Sequence, residues 1–227
     1  MSSAPAGLAP SGLGYRAPAL HPRLRDPECL ADLAERWHQR AWVRVEPLLA
    51  PGLAAELAAF IPCVPLTPQL DAGRREQSWR CVVRMPEAID PQYPACMYRL
   101  SAFLVRELPT LAAHITGAPI PAQGSGDIDI HVFRKGSYID GPDPATNSGI
   151  DFVLGLTTAV WPAEWGGHLH IANQRAPLAW DALDLFPGPA RMPLISRHVQ
   201  GVAIMGHLPC GPRPLSRRSR EEREDAP

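Results

Sequence analysis

Trp161-Pro162-Ala163-Glu164-Trp165-Gly166-Gly167-His168-Leu169-His170-Ile171 is the stretch on which the reading of this chain turns. Gly166 and Gly167 remove two Cβ atoms in succession, where the backbone must turn tightly or let another segment come close. Leu169 and Ile171 then fall on one side of an extended chain and His168 and His170 on the other, the period of a half-buried strand. Just ahead lies a second strand, the apolar run Phe152-Val153-Leu154-Gly155-Leu156-Thr157-Thr158. Strand, aromatic turn and strand in this order suit a jelly roll, whose strands are short and whose turns are tight.

The rest of the composition agrees with a β core of modest size. A chain of 227 residues with 45% hydrophobic content can bury one sizeable core. Its 27 prolines each remove a backbone donor and break helices and central strands, which excludes long helical bundles. With 22 basic and 23 acidic residues there is no global field to draw the chain to nucleic acid or to an anionic membrane. Cys29, Cys63, Cys81, Cys96 and Cys210 include no Cys-x-x-Cys pair, so free thiols in a reducing compartment are expected. Met1 to Pro18 lacks a basic start followed by an apolar core, and no apolar run reaches membrane-spanning length; a soluble, cytoplasmic protein is the expectation.

Along the chain, residues 1–22 are rich in Ala, Gly, Ser and Pro and read as a flexible leader. Asp26-Pro27-Glu28 is a helix start, with Leu30, Leu33, Ala34 and Trp37 at helical spacing behind it. A short strand follows at Trp42 to Val45, and Pro51 opens a second helix with Leu53, Leu57 and Phe60 inward. Ser78 to Val83 reads as a strand, and Tyr98 to Leu111 as a helix ending near Gly117. Beyond residue 127 the pattern switches to strands: Ile128 to Phe133, Ile150 to Leu156, His168 to Ile171, Ala182 to Phe186 and Arg197 to Met205. The expected architecture is α+β, a double-stranded β-helix (jelly roll) core buttressed by N-terminal helices. One domain is expected over 23–216, and residues 217–227, alternating Arg, Ser and Glu, read as a disordered charged tail.

The quoted stretch is similar to the Trp-x-x-x-Trp-Gly-Gly-x-Leu segment of iron(II)/2-oxoglutarate-dependent oxygenases of the prolyl-hydroxylase-like group, which an apolar strand ending in Leu-Thr precedes. The resemblance implies a dioxygenase hydroxylating a C–H bond of a small-molecule or peptide substrate, with Fe(II) and 2-oxoglutarate as cofactors. Such sites hold iron with a facial triad of two histidines and one carboxylate, and a basic residue takes the far carboxylate of 2-oxoglutarate.

Gly136-Ser137-Tyr138-Ile139-Asp140-Gly141-Pro142-Asp143-Pro144, where the His-x-Asp pair is expected, contains no histidine. Laid on the family's Gly-x-Tyr-x-x-His-x-Asp spacing, Gly141 takes the histidine position, Asp143 keeps the carboxylate and Tyr138 the co-substrate tyrosine. A register one residue longer places Pro142 and Pro144 there and keeps no ligand, and Asp-Gly-Pro-Asp-Pro is also ordinary turn chemistry. Asp140 is an adjacent carboxylate. By the same resemblance His198 is the distal ligand and Arg213, in Arg213-Pro214-Leu215-Ser216, the co-substrate arginine, while the charged tail stands where a closing strand normally follows. His131 could join Asp143 and His198 in a replacement ligand set, and His168 and His170, at i and i+2, could bind zinc, but neighbours or water satisfying their nitrogens is the preferred account of all three; His207 follows a glycine in an expected loop. The alternative to an enzyme is a non-catalytic jelly roll that binds a ligand or protein partner through the former active-site cleft.

Overall fold

The computed structural model describes residues 18–63, 69–72, 76–84, 90, 93–121, 128–139, 149–157, 160–171, 174–188, 191–196 and 200–210. The chain forms helices α1 (Pro27–Arg40), α2 (Pro51–Phe60), α3 (Ala95–Ala102) and α4 (Leu108–Thr116). The strands are β1 (Val43–Val45), β2 (Gln69–Ala72), β3 (Glu76–Val83), β4 (Ile128–Phe133), β5 (Tyr138–Ile139), β6 (Gly149–Gly155), β7 (Leu169–Ile171), β8 (Gln174–Ala176), β9 (Ala182–Phe186) and β10 (Gly201–Pro209).

The first helix begins as its sequence dictates. Pro27 takes the first position, and the Asp26 carboxylate accepts the Glu28 N–H at 3.0 Å. The helix expected from Tyr98 starts earlier and is interrupted: α3 runs through a π-helical turn at Phe103–Glu107 into α4. Pro109 is the physical cause we assign. It donates no N–H and its ring crowds the carbonyl four residues back, so the regular ladder opens there. Gly117, at φ +68°, ends α4 as anticipated. The described chain starts inside the stretch read as a leader, where Ala19 is buried and its carbonyl accepts from the Ala50 N–H, and the His21 N–H donates to the Leu48 carbonyl.

The large sheet has the order β1-β9-β6-β10-β4-β3-β2, and β7 pairs with β8 in a small one; every pairing between described strands is antiparallel. Period-2 alternation gives the large sheet two apolar faces. Ile128, Ile130, Val132, Phe152, Leu154, Val202, Ile204 and Leu208 join a cluster with Leu33, Leu53, Leu57, Phe103, Leu108 and Ile115 of the helices. The opposite face, with Phe133, Val153, Phe186 and Ala203, packs against Leu169, Ile171, Ala176, Met192 and Ile195 of the small-sheet layer. Helices, large sheet and small sheet thus form three layers. β5 joins the two sheets along one side, pairing Ile139 with Glu76 of β3 and bridging it to Met192. The α+β expectation holds, but the described strands do not close into a barrel.

The late strand departs from its expected place. Instead of Arg197 to Met205, β10 runs from Gly201 to Pro209 in the interior of the sheet, between β6 and β4. The closing strand expected to be lost after Arg213 falls outside the described residues. Gly206 and Pro209 look like strand breakers, yet a Cβ at Gly206 would meet the Phe152 ring at 2.6 Å, so glycine is what lets β10 lie over that side chain. The Leu-Thr end of the preceding strand has a structural use as well. The Thr157 hydroxyl accepts from the Val202 N–H at 2.9 Å and donates to the Val202 carbonyl at 3.0 Å, tying the end of β6 to β10.

The Trp-Gly-Gly turn holds the small sheet in place. Gly166 (φ +75°) and Gly167 (φ +70°) both sit in the left-handed region, and a Cβ on Gly166 would collide with the Leu194 carbonyl. The close approach is fastened by Gly167 N–H to Pro193 O (3.1 Å) and Ser196 N–H to Trp165 O (3.0 Å). The buried Trp161 indole donates to Gly166 O at 2.7 Å and meets Trp165 edge to face at 5.7 Å.

Gly166→Ala should therefore cost about 3 kcal/mol or more, because backbone strain and a clash with main chain coincide. Gly188→Ala, at φ +86° with open space around it, should cost only about 1–2 kcal/mol. Urea denaturation of the two variants measures the difference, and equal losses would remove the close approach as the cause.

Candidate functional site

The candidate site is the face of the large sheet that looks toward the small one. On β4, Ile128, Ile130 and Val132 point to the helices, which leaves Asp129, His131 and Phe133 on the opposite face. On β6 the same alternation leaves Asp151 and Val153, and on β10 Ala203, Met205 and His207. Toward β1 and β9 this face carries Phe186 and the paired side chains of Arg44 and Asp184. Toward the ends of β6 and β10 it carries half-buried Asp151 and exposed His207, directly opposite each other in register.

His207 is thus not in a loop, as expected, but on a central strand. Its Nδ1 lies 2.6 Å from Asp151 Oδ1, with side-chain exposures of 36% and 16%. Gly149 makes room for the ring: a Cβ there would lie 2.5 Å from His207 Nε2. A partly exposed imidazole oriented through one nitrogen by a carboxylate can accept or deliver a proton or hold a hydrogen-bonding ligand. His131, two residues along β4 from Asp129, is buried and stacked on Phe133 with ring centroids 6.0 Å apart.

The inward-facing guanidinium of Arg44 is committed to structure. It makes a two-point pair with Asp184, Nε to Oδ1 at 2.9 Å and Nη2 to Oδ2 at 2.7 Å, and donates to the Pro177 carbonyl at 2.8 Å. The Trp42 indole adds a third donor to the same carboxylate at 3.2 Å. Burial pushes the Asp184 carboxyl upward, and the Arg44 and Trp42 donors pull it back. The arginine is therefore poorly placed to anchor a ligand carboxylate.

Of the residues singled out in the sequence, Asp140, Gly141, Asp143, His198 and Arg213 lie outside the described residues. Tyr138 is half-buried on β5, opposite Gln77, and alternation puts it on the other face from Ile139, which is buried between the sheets. The strands flanking the two proposed metal ligands can still be compared. Ile139, four residues before Asp143, pairs with Met192, whereas Ile195, three residues before His198, bonds to Gly136 and Ser137. A carboxylate and an imidazole are suitable donors for iron(II), but they number two. Among the described residues no group of three or more His, Cys, Asp or Glu side chains could hold a metal ion.

His168 and His170 face away from the buried Leu169 and Ile171. His170 stands opposite Arg175 on β8 and is bridged on its other side to Arg191, so like charges meet across the small sheet. Burial lowers the His170 imidazole from its ordinary value, and Arg175 and His168 lower it further. The signal that sequence reasoning missed lay in the strands at 149–155 and 201–209, whose alternation singles out Asp151 and His207.

His170 gives a pH dependence of definite sign. The folded state resists protonation, so the unfolded chain takes its proton first as pH falls through about 6.5, and stability is lost on acidification. Arg175→Gln removes a repelling charge and should reduce the fall in Tm between about pH 7.5 and pH 5.5. Thermal unfolding of the variant and the parent at the two pH values tests this, and identical falls would refute it.

No family model matches this sequence, and neither does any characterised protein. The fold does find counterparts. A Pseudomonas putida prolyl-4-hydroxylase superposes with a TM-score of 0.58 at 16% identity, covering 81% of this chain and 100% of that one. A Trichoplax adhaerens prolyl hydroxylase, solved with a hypoxia-inducible-factor peptide fragment, gives 0.58 at 11% identity over 88% and 94%. A non-haem alpha-ketoglutarate-dependent epimerase of nogalamycin biosynthesis gives 0.54 at 14% identity over 79% and 82%. The chain therefore has the fold of the iron(II)/2-oxoglutarate oxygenases, the superfamily that its Trp-Gly-Gly segment resembles.

Proposed function

We propose that this chain is an oxygenase-type protein whose double-stranded β-helix cleft receives a small-molecule or peptide substrate, and that it is an iron(II)/2-oxoglutarate-dependent dioxygenase hydroxylating a C–H bond. The observation that carries this reading is the shared fold over the full length of a prolyl-4-hydroxylase, with the interior strand β10 intact. Asp143 and His198 would hold iron(II), and Tyr138 and Arg213 would bind 2-oxoglutarate. The chemistry those two cofactors supply together is oxidative decarboxylation of 2-oxoglutarate coupled to hydroxylation. The five free cysteines accord with a reducing, cytoplasmic location, and among the described residues no helix is long and apolar enough to cross a membrane.

A second reading, a non-catalytic jelly roll that binds a ligand or protein partner through the former cleft, is favoured by one observation. The segment from Gly136 to Pro144 holds no histidine where the resemblance expects a ligand. The first reading therefore needs a third ligand from elsewhere. Anaerobic titration of the apo-protein with iron(II) and 2-oxoglutarate separates the two. The oxygenase reading expects a weak visible charge-transfer band that disappears in His198→Ala and in Asp143→Ala. No band at about millimolar iron, far above the concentration a functional site requires, would leave the non-catalytic reading.

A further inference from the structure

On the helical side of the large sheet, away from the cleft, an apolar cavity of about 260 Å³ opens between the short turn Pro22–Arg25, α1 and α4. Leu20, Leu24, Leu30 and Leu111 wall it; Leu24 and Leu111 belong to the helix-side core, and Leu20 and Leu30 pack against that core. Its polar edge comes from one stretch of chain, with Arg106 and Glu107 in the π-helical turn and Thr110 and exposed His114 on α4. Arg106 and Glu107 carry opposite charges side by side, so the edge does not select an ion of either sign. The Thr110 hydroxyl is already committed, donating to the Arg106 carbonyl at 2.9 Å. Half-buried Glu107 has capacity to spare: the Ala19 N–H reaches its Oε1 at 3.4 Å, and a carboxylate offers about four acceptor sites.

We propose that this cavity binds a neutral, largely apolar molecule of about ten non-hydrogen atoms that donates one hydrogen bond, from a hydroxyl or a ring N–H, to the Glu107 carboxylate. Leucine walls hold water poorly, and an engineered apolar cavity of about 150 Å³ stays dry and takes benzene; the present volume, in proportion, takes a fused two-ring molecule. A single polar contact in an apolar concavity is the pattern that fixes a ligand's orientation. The edge also coincides with the π-helical turn, and such turns recur at functional sites. The walls include no strand of the cleft, so the site stands whether or not the cleft is catalytic.

Nuclear magnetic resonance of leucine methyl groups in the full-length protein, titrated with indole, tests this. The methyls of Leu20, Leu24, Leu30 and Leu111 should shift saturably, while Leu154 of β6 and Leu208 of β10 stay in place. Indene, a hydrocarbon of the same shape without the N–H, should bind at least about fivefold more weakly, and Glu107→Met should bring the two ligands to about equal affinity. Leu30→Trp, which fills the cavity from a partly buried position, should abolish the shifts; if it disturbs Leu154 and Leu208, the comparison of indole with indene on the parent protein decides alone. No saturable shift up to about millimolar indole would overturn the proposal. So would equal binding of indole and indene by the parent, or shifts that survive in a folded Leu30→Trp protein.

Discussion

The constraint on which the rest of the structure depends is the close approach of backbone at Gly166–Gly167 to the segment 193–196. Two main-chain hydrogen bonds join the segments there, a Cβ on Gly166 would collide with the Leu194 carbonyl, and the Trp161 indole N–H fastens the turn from within. With the turn held, Trp161 covers the start of β10, where a Cβ on Gly201 would lie 3.0 Å from its ring. The small sheet then presents Leu169, Ile171 and Met192 to the large sheet, and the second apolar cluster closes. Without that approach the inner face of the large sheet would be an exposed apolar surface.

A sheet buried on both faces places polar groups sparingly. Where they occur here, a partner is found close by: Arg44 and Trp42 for Asp184, His207 for Asp151, and the Leu48 and Leu49 amides for the buried Asp181. The first and third of these secure β1 and the chain that follows it against β9. The second stands where apolar packing gives way toward the rim, and so it alone combines an oriented imidazole with access from outside.

Much of the frame was legible in the sequence because it is written in local rules. Asp26-Pro27 starts a helix, Gly117 ends one, and the alternation in residues 128–133 and 182–186 marks strands whose burial the structure repeats. The site was less legible. Its sequence signature relied on spacing around Gly136 to Pro144, where turn-forming residues replace the expected histidine, and nothing local says which residues stand across from them. The strand at 201–209 was missed in part because Gly206 and Pro209 obey a non-local requirement, the Phe152 ring beneath one and the strand end at the other.

By itself, then, the sequence determined the order of elements, the α+β class and the Trp-Gly-Gly turn, since capping, alternation and glycine's freedom act over a few neighbouring residues. Tertiary structure decided which strands meet. It placed β10 between β4 and β6, set His207 against Asp151 across 56 positions of chain and directed Ile139 toward Met192. Pairing of that range is fixed by which apolar faces can be buried together, a property of the whole chain that no short motif carries.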